Sequence, residues 1–187
     1  MNSTTHKIVG ISTIASMVAI EGSWYAEIFT VPVYTPLLFV TAYTGSILAD
    51  ADMESTEMGR KLPWVSKFTT HRGLTHTPVI NAVFLIACIL LMNIGFDWYI
   101  IAINSLLMGL FISYATHIFI DTFNYKGCPI FWPIYRKNIY IFRVSTANKR
   151  ATKFKDKKNN WQEPAFSAVW VIAIIIHTVL VIGGYTL

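Results

Sequence analysis

Charged residues are scarce in this chain of 187 residues: they make up 13% of it, whereas hydrophobic residues make up 54%. Soluble domains carry about 25% charged residues. The mean hydropathy is +0.49, and the apolar residues fall in long runs instead of being spread along the chain. The shortage of charge therefore argues against a soluble domain and favours an integral membrane protein.

Cysteines, linkers and repeats are also scarce or absent. The two cysteines are Cys88, in an apolar run, and Cys128, in a polar loop, so we expect no disulfide between them and no thiolate zinc site. No Gly/Ser-rich or Pro-rich linker and no internal repeat divides the sequence. We therefore predict one domain over residues 1–187. The first apolar stretch lacks a basic leader and a clear cleavage site, and we expect it to be retained.

Five apolar segments stand out, at residues 8–20, 28–49, 79–96, 98–120 and 165–187. A helix needs about 20 apolar residues to cross the hydrocarbon core of a bilayer. The last four segments meet this length, and the first is short and partly polar. The sequence therefore predicts an all-α integral membrane protein with about five transmembrane helices.

Basic residues are missing from every second connection between these segments. All 15 Lys and Arg fall before the first segment, in the 50–78 loop or in the 122–164 loop. Because positive loops stay in the cytoplasm, we expect the N-terminus and both long loops on the cytoplasmic side. The basic 122–164 loop is either a topology anchor or a surface that recruits anionic lipid. No nucleic-acid-binding motif accompanies it, so we expect no nucleic-acid partner.

His117 and Asp121 end the fourth segment. At positions i and i+4 they share one helix face, roughly 5–6 Å apart at Cβ, so one metal ion could contact both. The alternative is a hydrogen bond between them that caps the helix.

A second polar group precedes the third segment in the sequence His71-Arg72-Gly73-Leu74-Thr75-His76. Its two histidines are candidate metal ligands, and its arginine could hold an anion with two hydrogen bonds. Pro78 suits the first position of a helix, and Thr77 suits its cap. The alternative is an interfacial loop whose histidines face lipid headgroups.

Asp50 and Asp52 close the second segment, where acids oppose the helix dipole and call for a cation. Either could be a metal ligand or a general base. His6, before the first segment, becomes a candidate ligand only because it reaches the same side of the membrane. Glu54 and Glu57 are interpreted as ordinary loop acids, and His177, inside the fifth segment, is left out of the site.

The order of these residues resembles that of the YdjM-like family. The matching motifs are an early histidine, Asp-x-Asp, His-Arg-Gly-x-Thr-His and His-x-x-x-Asp, which here are His6, Asp50-x-Asp52, His71 to His76 and His117-x-x-x-Asp121. The resemblance covers about residues 1–133. It implies a bacterial inner-membrane, metal-dependent hydrolase of a kind that is in some cases under SOS-repressor control. The site, though not the fold, is also similar to that of zinc-dependent phospholipases C.

These observations predict a membrane-bound hydrolase with a metal centre at the cytoplasmic face. The expected ligands are His71, His76, His117 and Asp121, with His6 and Asp50 or Asp52 completing a site for one or two ions. Zinc is favoured, and manganese and iron are alternatives. Arg72 would steady an oxyanion, and Asp52 is the candidate base. The expected partners are membrane lipids, including an amphipathic phosphoester substrate.

Two other functions fit the sequence less well. One is a non-enzymatic membrane protein with a structural metal site, which would be closed by four protein ligands. The other is a metal or proton transporter, which would need more polar residues deep in the apolar segments. The oligomeric state is not set by the sequence.

Overall fold

The computed structural model describes residues 3–19, 34–70, 73–95, 97–123, 127–135, 137–141 and 162–183. These contain α1 (Ser3–Ala19), α2 (Thr35–Leu48), α3 (Glu57–Lys61), α4 (Pro63–Phe68), α5 (Pro78–Met92), α6 (Trp98–Asp121) and α7 (Gln162–Ile182). Two 3-10 turns, Ala49–Asp52 and Leu74–His76, follow α2 and precede α5. The β-structure in the described residues is one bridge between Cys128 and Ile139. The all-α prediction is confirmed.

Two of the described helices, α6 and residues 164–182 of α7, are long and apolar enough to cross a membrane. α5 is apolar but has 15 residues, and α1 and α2 have 17 and 14. Residues 28–33 of the predicted second segment lie outside the described part of the chain. The five spans and their orientation therefore stay predictions.

Prolines mark the starts of α2 and α5. Pro36 and Pro78 lie in the first turns, where the missing N–H group has no helical partner to lose. Thr77 has the extended backbone of a cap residue, but its side chain does not cap α5. Its hydroxyl donates instead to the Leu74 carbonyl at 2.7 Å. Thr77 is therefore the N-cap residue of α5, as predicted, but it does not cap the helix through its side chain, because the 3-10 turn offers its hydroxyl a nearby acceptor.

The core forms around α6. Its buried residues come from α1, α2, α5 and α6, and are Ile14, Leu38, Ala42, Cys88, Met108 and Ile112. In the apolar stretch of α6, 39% of the residues are buried inside the protein, whereas in that of α7 6% are buried. α6 is therefore the central helix. α7 turns most of its apolar surface outward, which suits lipid and not water as its surroundings.

α2 and α6 approach closely because each has a glycine at the contact. A Cβ atom on Gly45 would lie 3.1 Å from the Leu110 carbonyl oxygen, and one on Gly109 would lie 2.9 Å from that of Leu38. Small residues at such a crossing let two helix backbones pack together in a membrane. The crossing brings the end of α2, with Asp50, beside the last turns of α6, with His117.

α7 is attached to the outside of this bundle. Ser16 of α1 and Thr178 of α7 share a hydrogen bond of 2.7 Å. The Trp170 ring lies 5.9 Å from the ring of Phe119 on α6. Among the described residues, α7 supplies none of the donor side chains of the cluster described next.

Candidate metal centre

Four separate segments bring histidines and aspartates together beside the end of α6. α1 contributes His6, the turn after α2 contributes Asp50 and the turn before α5 contributes His76. α6 contributes His117 and Asp121, one helical turn apart. The three histidines and Asp121 are at most 2% exposed, whereas the Asp50 side chain is 14% exposed. The cluster is therefore buried and opens toward the surface on the side of Asp50.

The donor atoms of this cluster lie within reach of a single ion. His6 Nε2 is 3.3 Å from Asp121 Oδ1, and His76 Nε2 is 3.5 Å from Asp121 Oδ2. Asp50 Oδ1 is 3.7 Å from Nε2 of both His76 and His117. Two overlapping sets, His6–Asp50–His117 and His76–His117–Asp121, each have donor atoms within 4.8 Å of one another. This spacing fits one divalent ion.

The hydrogen bond of His117 fixes which nitrogen faces the cluster. Its Nδ1 lies 2.6 Å from the Ser46 carbonyl oxygen, and because a carbonyl can only accept, Nδ1 carries the proton. The neutral ring then has a lone pair on Nε2, which is buried without a hydrogen-bond partner. That lone pair and the Asp50 carboxylate face each other, an arrangement that is unfavourable unless a cation lies between them. Metal-binding histidines are commonly oriented through their other nitrogen in this way.

His6 strengthens this assignment. Its ring stacks on the His117 ring with centroids 3.8 Å apart and an interplanar angle of 15°. Its Nδ1 is also buried without a hydrogen-bond partner. Buried polar atoms almost always have a partner, so two imidazole nitrogens without one in the same cluster are compatible with a bound metal ion. Imidazoles mixed with carboxylates are a suitable donor set for zinc and related divalent ions.

Contacts on the Nδ1 side of the His76 ring, away from the cluster, fix its orientation. Its Nδ1 lies 3.1 Å from Asp52 Oδ2, which also accepts a hydrogen bond of 2.7 Å from the Thr75 hydroxyl. The Tyr114 hydroxyl of α6 donates to the Thr75 carbonyl. These contacts fix the Leu74–His76 turn against α6, so that Nε2 of His76 points at Asp50 and Asp121.

Charge in the cluster favours a cation even when no ion is bound. Burial alone would lower the pKa of His76, but contacts with Asp50 and Asp52 raise that pKa to about 9. Burial would raise the pKa of Asp50, but the contact with His76 and the nearby His117 and His6 together outweigh burial and keep that pKa below its usual value. A proton on His76 and a metal ion therefore compete for the same carboxylates.

Comparison with known proteins places this arrangement in a family. The family described as YdjM inner membrane protein matches residues 1–186. The chain belongs to this family. It is 32% identical over 91 residues to the inner membrane protein YdjM of Escherichia coli strain K12 and, with the same values, to that of Shigella flexneri. The matched region is 46% of this chain and 44% of each relative, so the chain matches less than half the length of these relatives. No solved structure matches it.

The structure of this YdjM family member brings together five of the predicted site residues: His6, Asp50, His76, His117 and Asp121. Asp52, predicted as a ligand or base, lies behind His76 and in neither donor set. His71 and Arg72 lie outside the described residues. His177 is on α7 and in neither donor set.

Sequence reasoning missed the residues that support the donors. Ser46 acts through its backbone carbonyl, which no side-chain pattern can reveal. Tyr114 had a usable signal, because a tyrosine three residues before His117 lies on nearly the same helix face. Thr75 stood inside the predicted motif without an assigned role.

A polar contact joins α1 to α2 and α3. It consists of Lys7, Tyr43 and Glu57, and we call it the Lys7 clasp. Lys7 Nζ lies 2.5 Å from Glu57 Oε2 and donates to the Tyr43 hydroxyl at 3.0 Å. The Tyr43 hydroxyl donates to Glu57 Oε1 at 2.9 Å. The interpretation of Glu57 as an ordinary loop acid is wrong, because it opens α3 and pairs with α1. The clasp holds the first turn of α1, and with it His6, against α2 and α3.

Replacing Glu57 with glutamine is expected to loosen this clasp at neutral pH. The hydrogen bonds from Lys7 and Tyr43 lower the pKa of Glu57 from 4.5 to about 2. The stabilisation is therefore present above pH 4.5 and is lost as the pH falls toward about 2. We expect the wild type to unfold at a higher temperature than the variant at neutral pH, and the difference to shrink with acidification.

Thermal unfolding in detergent over this pH range measures the effect. Glu54→Gln is the matched control, since Glu54 is exposed and accepts a hydrogen bond of 3.3 Å from the Ser66 hydroxyl. A pH-independent difference between wild type and Glu57→Gln would contradict the assignment.

Proposed function

We propose that this chain is a membrane-bound, metal-dependent hydrolase that acts on an amphipathic, phosphoester-containing lipid. The observation that carries the proposal is the His117 Nε2 lone pair, buried without a hydrogen-bond partner and 3.7 Å from the Asp50 carboxylate. Its membership of an inner membrane protein family supports a substrate that is itself a membrane component.

The proposed ligands are His6, Asp50, His76, His117 and Asp121, with His71 as a further candidate outside the described residues. Zinc is the favoured ion, and manganese and iron are the alternatives. When bound, such an ion supplies a Lewis acid and a water molecule of lowered pKa. The two carboxylates of the cluster would balance the two positive charges of the ion, and its three imidazoles would bind as neutral ligands.

Asp50 and Asp52 are assigned different roles by their surroundings. The Asp50 side chain is 14% exposed at the edge of the cluster, so it can accept a proton from a water that enters there. Asp52 is buried and occupied by His76 and Thr75, so we assign it to orienting His76. Arg72 remains our candidate for holding a substrate oxyanion.

Replacing Asp52 with asparagine tests the orienting role. The amide keeps the size of the side chain but removes the charge that aligns the His76 ring. Loss of such an outer carboxylate typically weakens metal binding about 10–100-fold, and we expect a loss in this range. Competition of the purified variant with a chromophoric chelator gives the affinity. Unchanged affinity would assign Asp52 no role in orienting His76, and complete loss would favour a role as ligand.

The alternative function is a non-enzymatic membrane protein with a structural metal site. The observation that favours it is the near-complete burial of His6, His76, His117 and Asp121, because structural sites are closed by four protein ligands. Asp50 as a fifth, partly exposed donor argues for the enzyme.

One experiment separates the two functions. Protein purified in detergent is analysed for bound metal and then incubated with bis(p-nitrophenyl) phosphate and with phosphatidylglycerol in mixed micelles. The hydrolase proposal expects bound divalent metal and phosphoester cleavage that a chelator abolishes. Stoichiometric metal with no cleavage of any phosphoester would favour the structural site, and absence of bound metal would overturn both.

A further inference from the structure

The α3–α4 segment has apolar side chains on two opposite faces. On the inner face, Met58 packs with Ile47 and Ala51, next to the partly buried Leu62 and Val65. On the outer face, Trp64 is 60% exposed and Phe68 is 84% exposed. Only the inner face is explained by packing within the protein.

Trp64 and Phe68 form a single outward patch. At positions i and i+4 of α4 they lie side by side on the helix surface. Exposed Arg60, Lys61 and Lys67 flank them, while the charge of Glu57 is taken up by Lys7 and Lys61. Aromatic side chains bordered by lysine and arginine are typical of segments that lie in the headgroup layer of an anionic membrane.

A second exposed apolar patch lies at the same end of the bundle. Phe131, Ile134 and Tyr135 are 59%, 96% and 47% exposed, in the loop that follows Asp121. That loop returns to α6 through a hydrogen bond of 2.9 Å from the Ile141 amide to the Thr122 carbonyl. α4 packs on the Ala49–Asp52 turn. Both patches are therefore anchored next to residues of the metal centre.

The length of α6 determines how deep the Asp121 end of the molecule would lie in a bilayer. Its 24 residues span roughly 36 Å at 1.5 Å per residue, slightly more than the hydrocarbon core of about 30 Å. If α6 crosses the bilayer, Asp121 at its end lies at the level of the headgroups. α4, beside the Asp50 turn, lies at the same level.

We propose that α4 is an interfacial anchor that binds the anionic headgroup layer of the membrane in which the chain sits. Trp64 and Phe68 insert beneath the phosphates, and Lys61 and Lys67 contact them. Because α4 packs on the Ala49–Asp52 turn, this binding holds the exposed edge of Asp50 at headgroup depth. The anchor is independent of the proposed hydrolase activity, since it needs neither a bound ion nor a reaction.

The test uses fluorescent labels on the full-length chain in vesicles that contain phosphatidylglycerol. Cysteine is introduced at Trp64 or Phe68, and at exposed Ser55 as a control for an aqueous loop. Cys88 and Cys128 are buried, and labelling of the unmodified chain measures their background. Labels at positions 64 and 68 are expected about 5–10 Å deep, quenched by nitroxide lipids and protected from iodide. The label at Ser55 is expected to show the opposite pattern.

Two further conditions make the test specific for anionic lipid. In vesicles of phosphatidylcholine alone, or with Lys61→Gln and Lys67→Gln combined, the label at Phe68 is expected to become more accessible to iodide. Equal iodide quenching at Ser55, Trp64 and Phe68 would overturn the proposal. Protection at positions 64 and 68 that increases with the protein-to-lipid ratio would assign this face to a second copy of the chain, and would also overturn it.

Discussion

Replacing His117 with alanine is expected to remove most of the divalent metal bound by the purified protein. His117 is the one residue that belongs to both donor sets. Its loss should weaken binding by more than the roughly 100-fold upper range for an outer-layer residue. The expected effect therefore exceeds that of Asp52→Asn. Asp121→Ala, which removes the carboxylate shared by His6 and His76, is expected to behave similarly.

Metal content by mass spectrometry and affinity by chelator competition measure this loss. His177→Ala is the matched control, because it removes a half-buried imidazole from α7, away from the cluster, and should leave the metal content unchanged. Circular dichroism and a single elution peak establish that each variant is folded. Full metal content in both His117→Ala and Asp121→Ala would refute the proposed ligand set.

Replacing Gly45 with leucine is expected to destabilise the fold and the metal centre together. The new side chain would meet the Leu110 backbone, whose carbonyl oxygen and Cα lie 3.1 and 3.2 Å from the position of a Cβ atom. Backbone cannot rotate away as a side chain can, so α2 must separate from α6. Overpacking of this kind costs about 1–3 kcal/mol, and occasionally more.

The separation of α2 from α6 should also change the geometry of the candidate metal centre, because Gly45 lies only slightly more than one turn before Asp50. Moving the end of α2 outward would lengthen the 3.7 Å separation between Asp50 and His117. We expect a lower unfolding temperature, by roughly 2–4 °C for each kcal/mol, and a lower metal affinity. Gly183→Leu, at an exposed position after α7, is the control. An unchanged unfolding temperature in Gly45→Leu would show that the contact between α2 and α6 is looser than described.

The histidines and acids of the site could be predicted because they interrupt apolar runs. His117 and Asp121 stand one turn apart at the end of a long apolar helix, and a polar pair in that position needs a partner. His6 had no local signal, and only the argument that the segment ends share one side of the membrane included it. The structure places it against His117.

The separate roles of the two aspartates could not be predicted. Asp50 and Asp52 occur in a short motif in which either could face the cluster, and the choice depends on the 3-10 geometry of Ala49–Asp52. Likewise, the role of Glu57 could not be predicted because its partner, Lys7, lies far away in sequence. Long-range pairings of this kind depend on how helices pack, which residue patterns within one segment do not encode.

The contact between His6 and Asp121 also constrains how the protein is made. His6 leaves the ribosome before α2, α5 and α6, whereas Asp121 follows only after α2, α5 and most of α6 have been synthesised. The donors therefore cannot meet until those helices have packed together. The proposed ion would therefore bind late in biogenesis, after the helices have packed, and could not nucleate the folding of this chain.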